Sequence, residues 1–140
     1  MSAKQRISWE GYALRIAHVA SLRSEDPYKQ VGACALDRDN RVIGVAYNGL
    51  GSGKEVEPSF WQDRDARRPY MVHAETNVLS LFRRNECALL ACTMLPCSSC
   101  AAAIVAHNIP RVIYLEEYTR DNKALDIFRF YGVTCDKITL

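Results

Sequence analysis

Residues 87–116 read CALLACTMLPCSSCAAAIVAHNIPRVIYLE, and the architecture can be worked out from them in both directions. Cys87 to Met94 is a continuous apolar run of strand length apart from Thr93, and a strand without polar alternation is one buried on both faces of a sheet. Ser98 to His107 has the composition of a helix with Ile104 and Val105 in its interior, and Asn108-Ile109-Pro110 stops it. Arg111 to Glu116 is a second apolar strand. A strand–helix–strand unit of this size favours parallel pairing through a right-handed crossover.

Upstream, Ser8 is the expected N-cap of a helix from about Trp9 to Ser24. Trp9, Tyr12, Ala13, Ile16, Ala17 and Ala20 recur at helical spacing as its apolar face, and Asp26-Pro27 ends it. Val31 to Leu36 and Arg41 to Tyr47 flank Asp37-Arg38-Asp39-Asn40, a hairpin turn by composition. Asn48 to about Tyr70 is irregular, and a loop of that length inside a domain is usually a lid or a binding segment. A helix is expected from Ala74 to Arg84 with Val78, Leu79 and Phe82 inward. Downstream come a helix from Asn122 to Tyr131, terminated by Gly132, and a last strand, Val133 to Ile138. The order α-β-β-α-β-α-β-α-β predicts an α/β protein. It is a three-layer α/β/α sandwich around a mixed sheet of about five strands, formed by one domain over residues 1–140.

Composition narrows the classes. The 140 residues are 49% hydrophobic and 24% charged, with a formal net charge of +2. No apolar run approaches the roughly 18–20 residues of a membrane helix, and the basic start leads into an amphipathic segment rather than a signal-peptide core. A cytoplasmic protein without membrane or nucleic-acid partners is expected, because a duplex or tRNA binder shows a denser basic face. The six cysteines, Cys34, Cys87, Cys92, Cys97, Cys100 and Cys135, read as reduced thiols.

Two short segments carry chemistry: His73-Ala74-Glu75 and Pro96-Cys97-Ser98-Ser99-Cys100. Catalytic zinc takes three protein ligands and keeps one position for water. Cys97 and Cys100 lie one helical turn apart at a helix start, and His73 opens another helix, so helix dipoles favour thiolates at the metal. Glu75, two residues beyond His73, is the expected proton shuttle rather than a fourth ligand. A lone Cys-x-x-Cys also suits redox and structural sites. The joint pattern His-x-Glu with Pro-Cys-x-x-Cys resembles the signature of zinc nucleobase deaminases.

With these residues in place, the chain resembles the cytidine and deoxycytidylate deaminase superfamily over essentially its whole length, and within it the deoxycytidylate (dCMP) deaminase family. Arg23-Ser24-Glu25-Asp26-Pro27, Gln30-Val31-Gly32-Ala33, Ala46-Tyr47-Asn48-Gly49, His73-Ala74-Glu75-Thr76-Asn77 and Cys97 to Tyr114 carry the likeness. The resemblance implies the cytidine deaminase-like fold, one catalytic Zn2+, hydrolysis of dCMP to dUMP and ammonia, and a homohexamer. It also implies that Asn48 bonds the sugar 3′-hydroxyl and that the Ala74 N–H holds the base carbonyl. Through Tyr47 and Gly49 it implies regulation by dCTP and dTTP, with Mg2+ accompanying the triphosphate. The loop departs from the family pattern, with Ala46 where a glycine is usual and Gly51-Ser52-Gly53 where a proline is usual. Some relatives bind a second, structural zinc; no matching set is found here, and Cys34, Cys87, Cys92 and Cys135 read as buried thiols.

Lys29, Tyr118 and Arg120 are the candidates for a 5′-phosphate, since loops at strand carboxyl ends line the crevice of an open α/β sheet. Each also reads as a solvated surface residue. Arg64, Arg67 and Arg68 precede His73 and offer a further phosphate contact, but read first as a solvated face; His18 and His107 read as structural or solvent-facing, and Trp9 and Trp61, which could stack on a base, as packing residues. Four other readings stay open: dCTP as a further substrate, a free nucleoside, adenosine in tRNA, and a non-catalytic zinc-stabilised interaction domain.

Overall fold

Ser8 starts the chain's first helix by satisfying a free amide: its hydroxyl accepts the Gly11 N–H at 3.0 Å and opens α1 (Trp9–Ser21). The structure, a computed structural model, describes residues 1–140. β1 (Gly32–Leu36) and β2 (Val42–Tyr47) form the expected antiparallel hairpin. Asp37 Oδ1 accepts the Asp39 and Arg41 N–H groups, each at 2.9 Å, and Asn40 takes the left-handed conformation the turn needs (φ 60°). Then follow α2 (Arg64–Arg67), α3 (Ala74–Leu79), β3 (Leu89–Met94), α4 (Ser98–Ala106), β4 (Arg111–Glu116), α5 (Ala124–Tyr131) and β5 (Thr134–Lys137).

The five strands lie in the order β2-β1-β3-β4-β5. β1 is antiparallel to both neighbours, while β3, β4 and β5 run parallel. Because the inner strands are covered on both sides, their residues alternate between two cores with a period of two. Ala33, Ala35, Leu90, Cys92, Val112 and Tyr114 join the core that Val78, Ile104 and Phe128 build from α3, α4 and α5. Cys34, Leu36, Leu89, Ala91 and Ile113 face Ala13, Leu14 and Ala17 of α1. This is the three-layer arrangement expected from the element order.

α1 ends at Ser21 rather than Ser24, and its buried face is turned from the expected one. Leu14 is fully buried, whereas Trp9 and Tyr12 are exposed. A Cβ on Gly32 would meet the Ala17 carbonyl oxygen at 1.8 Å, so helix and strand touch backbone to backbone. α1 therefore turns Ala13, Leu14 and Ala17 to the sheet, and its aromatic residues Trp9 and Tyr12 lie outward. α3 is shorter than the expected helix to Arg84. Ser80 caps it, with its hydroxyl donating to the Asn77 carbonyl at 2.6 Å, although Phe82 still packs on the core. The irregular stretch contains α2 and two single 3-10 turns, Pro58–Trp61 and Arg68–Tyr70. Gly132, at φ 75°, terminates α5 as expected.

Candidate active site

The strand directions bring several termini together. β3 and β4 are parallel, so their carboxyl ends point the same way. β1 runs against β3 and β2 against β1, so the start of β1 and the end of β2 lie at that same edge. A cavity of about 490 Å³ opens there, within the usual range of small-molecule sites. His73, Ala74 and Glu75 come to it from α3, Met94, Leu95 and Cys97 from the β3–α4 junction, and Tyr118 and Arg120 from beyond β4.

His73 is the N-cap of α3 and Cys97 the N-cap of α4, with Cys100 on that helix's first turn. The donor atoms of His73, Cys97 and Cys100 lie within 4.8 Å of one another, and no other carboxylate, imidazole or thiol joins them. His73 Nδ1 is 3.6 Å from Cys97 Sγ and 3.3 Å from Cys100 Sγ. Tetrahedral zinc with ordinary Zn–S and Zn–N bonds places nitrogen and sulfur about 3.6 Å apart, so the three donors fit the ion with a fourth position left open.

The protonation states suit a metal that binds anions. The Cys100 thiol, with His73 and the Ser99 hydroxyl, holds Cys97 down to about 3, so it is a thiolate at neutral pH. That thiolate raises His73 by its hydrogen bond and, together with burial, pushes Cys100 up. Glu75 stands beside the triad, 4% exposed, and burial raises its carboxyl above the usual range. Burial makes this carboxyl hold its proton more firmly than a free one, which suits a group that must both take and return a proton.

A second set of contacts seats these helix starts. Asp121, in the loop after β4, accepts the Ser98 N–H at 2.8 Å and the Ser98 hydroxyl at 2.7 Å, and it also takes the Lys123 N–H at 3.2 Å. Ser98 holds its carboxyl below the usual range. Asn77 Nδ2 donates to the Tyr47 carbonyl at 2.9 Å, which ties α3 to the end of β2.

The other expected residues sort unevenly. Asn48 and Ala74 both line the cavity. The Asn48 amide also clamps the entry to β1, accepting from Val31 N–H and donating to the Lys29 carbonyl, each at 2.8 Å. Ala74 is the first residue of α3, where an N–H has no partner within its helix. Lys29, Tyr118 and Arg120 line the cavity, but Lys29 is paired with Glu116 at 3.4 Å. Tyr47 and Gly49 serve as ties: the Tyr47 hydroxyl accepts from Arg23 Nε at 3.1 Å, and Gly49 pairs with Val72. His18 is exposed, and His107 Nε2 lies 3.2 Å from the Phe82 carbonyl. Trp61 packs against Phe60, ring centroids 5.1 Å apart. All six thiols are free; Cys34, Cys87 and Cys92 are buried and Cys135 is half-buried.

One expectation is corrected. Arg67 is not on a solvated face with Arg64 and Arg68 but is buried in the cavity wall, paired with Asp26. Sequence periodicity misses this because α2 is a single turn, too short to show a face. Asp26 and Asp121 were also missed. Asp26 read as a helix stop, and the partners of Asp121 on α4 lie 23 residues away. An aspartate shortly before a helix is a capping signal, but nothing local says which helix it caps.

An imidazole, two sulfurs and a sealed carboxylate, all at helix starts on one edge of a mixed sheet, are the working parts of a zinc-dependent deaminase. Residues 7–116 match the cytidine and deoxycytidylate deaminase zinc-binding region. The deoxycytidylate deaminase of Mus musculus is 31% identical over 155 aligned residues, covering 99% of this chain and 86% of that one. The Homo sapiens deoxycytidylate deaminase is 30% identical, covering 100% and 90%. Among solved structures, the dCMP deaminase of cyanophage S-TIM5 in complex with dCMP and dUMP superposes with a TM-score of 0.71. That likeness covers 93% of each chain at 23% identity and speaks for the fold. The chain belongs to the cytidine and deoxycytidylate deaminase family. No helix in it is long and apolar enough to cross a membrane.

Proposed function

We propose that the chain hydrolyses dCMP to dUMP and ammonia. The observation that carries the reading is Glu75, a sealed carboxylate beside the His73, Cys97 and Cys100 donors in a cavity whose walls bear arginines. The relatives named deoxycytidylate deaminase, aligned over nearly the whole chain, support the substrate.

His73 Nδ1, Cys97 Sγ and Cys100 Sγ would hold the zinc ion, which would supply a Lewis acid able to bring the pKa of water towards about 7. Glu75 accepts the proton of the water that attacks C4 of the cytosine ring and delivers it to ring N3. As the C4–N bond breaks, the second proton of the water leaves with the amino group as ammonia, and the oxygen remains as the C4 carbonyl. The raised carboxyl of Glu75 favours the acid half of this cycle. The Ala74 N–H is available to the base carbonyl. The unused hydrogen and lone pair of the Asn48 amide are available to the sugar 3′-hydroxyl, and Lys29, Tyr118 and Arg120 to the phosphate. The same reading carries regulation by dCTP and dTTP with Mg2+ near Tyr47 and Gly49, and assembly into a homohexamer.

The test is a panel of dCMP, dCTP, CMP, deoxycytidine and adenosine-bearing RNA, followed by ultraviolet absorbance with and without dCTP and dTTP. Turnover concentrated on dCMP is expected. Equal rates on dCMP and deoxycytidine would remove the phosphate from the proposal. A zinc-loaded chain that deaminates nothing would leave a zinc-stabilised interaction domain.

A further inference from the structure

Asp26, Asn48, Arg67 and Glu75 are all buried and all line the cavity, yet Asp26 and Arg67 take no part in the deamination steps. Asp26 is 2% exposed, and both of its oxygens are engaged. Oδ1 accepts the Tyr28 N–H at 2.8 Å and the Lys29 N–H at 3.3 Å, and Oδ2 lies 3.2 Å from Arg67 Nη2. The Tyr28 ring packs on the pair, its centroid 4.8 Å from the Arg67 guanidinium. Arg67 Nε is buried with no hydrogen-bond partner. Desolvating a buried ion pair costs about what its attraction returns, and an orphaned N–H adds to that cost. Stability is therefore a poor account of the pair. What it fixes is the position of the loop between α1 and β1.

Asn48 meets that loop from the end of β2. Its Nδ2 donates to the Lys29 carbonyl and its Oδ1 accepts the Val31 N–H, each at 2.8 Å. Lys29 gives its N–H to Asp26 and its carbonyl to Asn48, so its backbone is strung between the two side chains. The Ser24 hydroxyl makes a second link, accepting the Asp26 N–H at 3.3 Å and donating to the Asn48 carbonyl at 2.9 Å. One hydrogen and one lone pair of the Asn48 amide are left over at the cavity. A planar amide presents them in one direction only when its plane is held, and the Lys29 carbonyl and Val31 N–H hold it.

We propose that Asp26 is a positioning residue: seated against Arg67, it sets the Lys29 backbone on which the Asn48 amide is locked, and so aims Asn48 at the sugar of the nucleotide. The proposal rests on the deaminase reading and deepens it by naming the group that orients its sugar contact.

Removing Asp26 alone would leave Arg67 buried and unpaired, so the experiment neutralises both together. Asp26→Ala with Arg67→Met takes away every acceptor of the carboxylate. Asp26→Asn with Arg67→Met restores the oxygen that holds the Tyr28 and Lys29 N–H groups. In calorimetric binding of dUMP, the Ala form is expected to be about 10-fold weaker than the Asn form, and turnover of dCMP to fall mainly through KM. Adding Asn48→Ala should then cost about 10-fold in the Asn form but less than about 2-fold in the Ala form. An Asp26 that only supports the fold would give the same Asn48→Ala loss in both. Equal dUMP affinity in the two forms, or equal Asn48→Ala losses, overturns the proposal. Should these paired variants fail to fold, amide exchange in Asn48→Ala alone decides. The Lys29 N–H is bonded to Asp26 and not to Asn48, yet its exchange should quicken by about 10-fold. Unchanged Lys29 exchange overturns the proposal. If Asp26 governs dUMP binding in a chain that deaminates nothing, this proposal stands and the deaminase reading falls.

Discussion

The Asp121 carboxylate holds the Ser98 N–H and hydroxyl at 2.8 and 2.7 Å, one residue past the metal-site sulfur of Cys97. It does so from the loop that also presents Tyr118 and Arg120 to the cavity. One side chain therefore seats the first turn of α4 and the substrate-side loop together. Groups that orient metal ligands from behind typically change metal affinity 10- to 100-fold when removed. Asp121→Ala should weaken zinc binding by about that factor, read by competition with a coloured chelator. An unchanged dissociation constant would show that α4 holds its sulfurs without this contact.

Glu75 makes the cleanest separation between binding and chemistry. Glu75→Gln keeps the shape of a residue only 4% exposed but removes the carboxyl that takes up and gives back a proton. Turnover of dCMP should fall about 10²- to 10⁴-fold, with zinc content by elemental analysis and thermal midpoint close to wild type. A variant as active as wild type would refute the proton path.

Gly32 tests the packing of α1 on the sheet. An added methyl would lie 1.8 Å from the Ala17 carbonyl oxygen and 2.8 Å from Ser21 N, so the helix must move away from β1. Gly32→Ala should cost about 3 kcal/mol or more in urea unfolding. Gly51→Ala, where nothing lies within 4 Å of the new methyl, should change stability by less than about 0.5 kcal/mol. Similar effects of the two substitutions would contradict the backbone contact.

The buried thiols predict an alkaline limit. Burial pushes Cys34 up to about 11 and Cys87 up to about 12, against 9 for a free thiol. Their folded pKa values lie above the unfolded ones, so their contribution to stability is complete below pH 9 and is lost as pH rises from 9 through 11 and 12. Denaturant midpoints should hold up to about pH 9 and then fall. Cys34→Ala should reduce the steepness of that fall, and an equally steep fall in the variant would exclude Cys34 as a source.

Much of this molecule is written locally. The apolar runs of β1, β3 and β4, the Ser8 cap, the Asp37 turn and the Gly132 stop depend on neighbours a few residues away, and all appear where the chain's own chemistry puts them. The same holds for the donor set. Cys97 and Cys100 share a helix turn and Glu75 follows His73 by two residues, so each half of the donor set is a local pattern, and the two together make the signature. The face of α1 was not legible because Gly32 and Ala17 choose it by touching across the layers. Arg67 was not legible because the burial of a one-turn helix is decided by what packs over it.

From its residues alone, the chain determined which segments are strands and helices and which side chains can hold a metal, because periodicity and short spacings act within a few residues. The tertiary structure decided that His73 meets Cys97 and Cys100, 24 and 27 positions away, and that Arg67 is sealed against Asp26 rather than hydrated. Those outcomes depend on strand order and direction, which bring distant termini to one edge of the sheet, and on burial, which turns an ordinary surface charge into a fixed one.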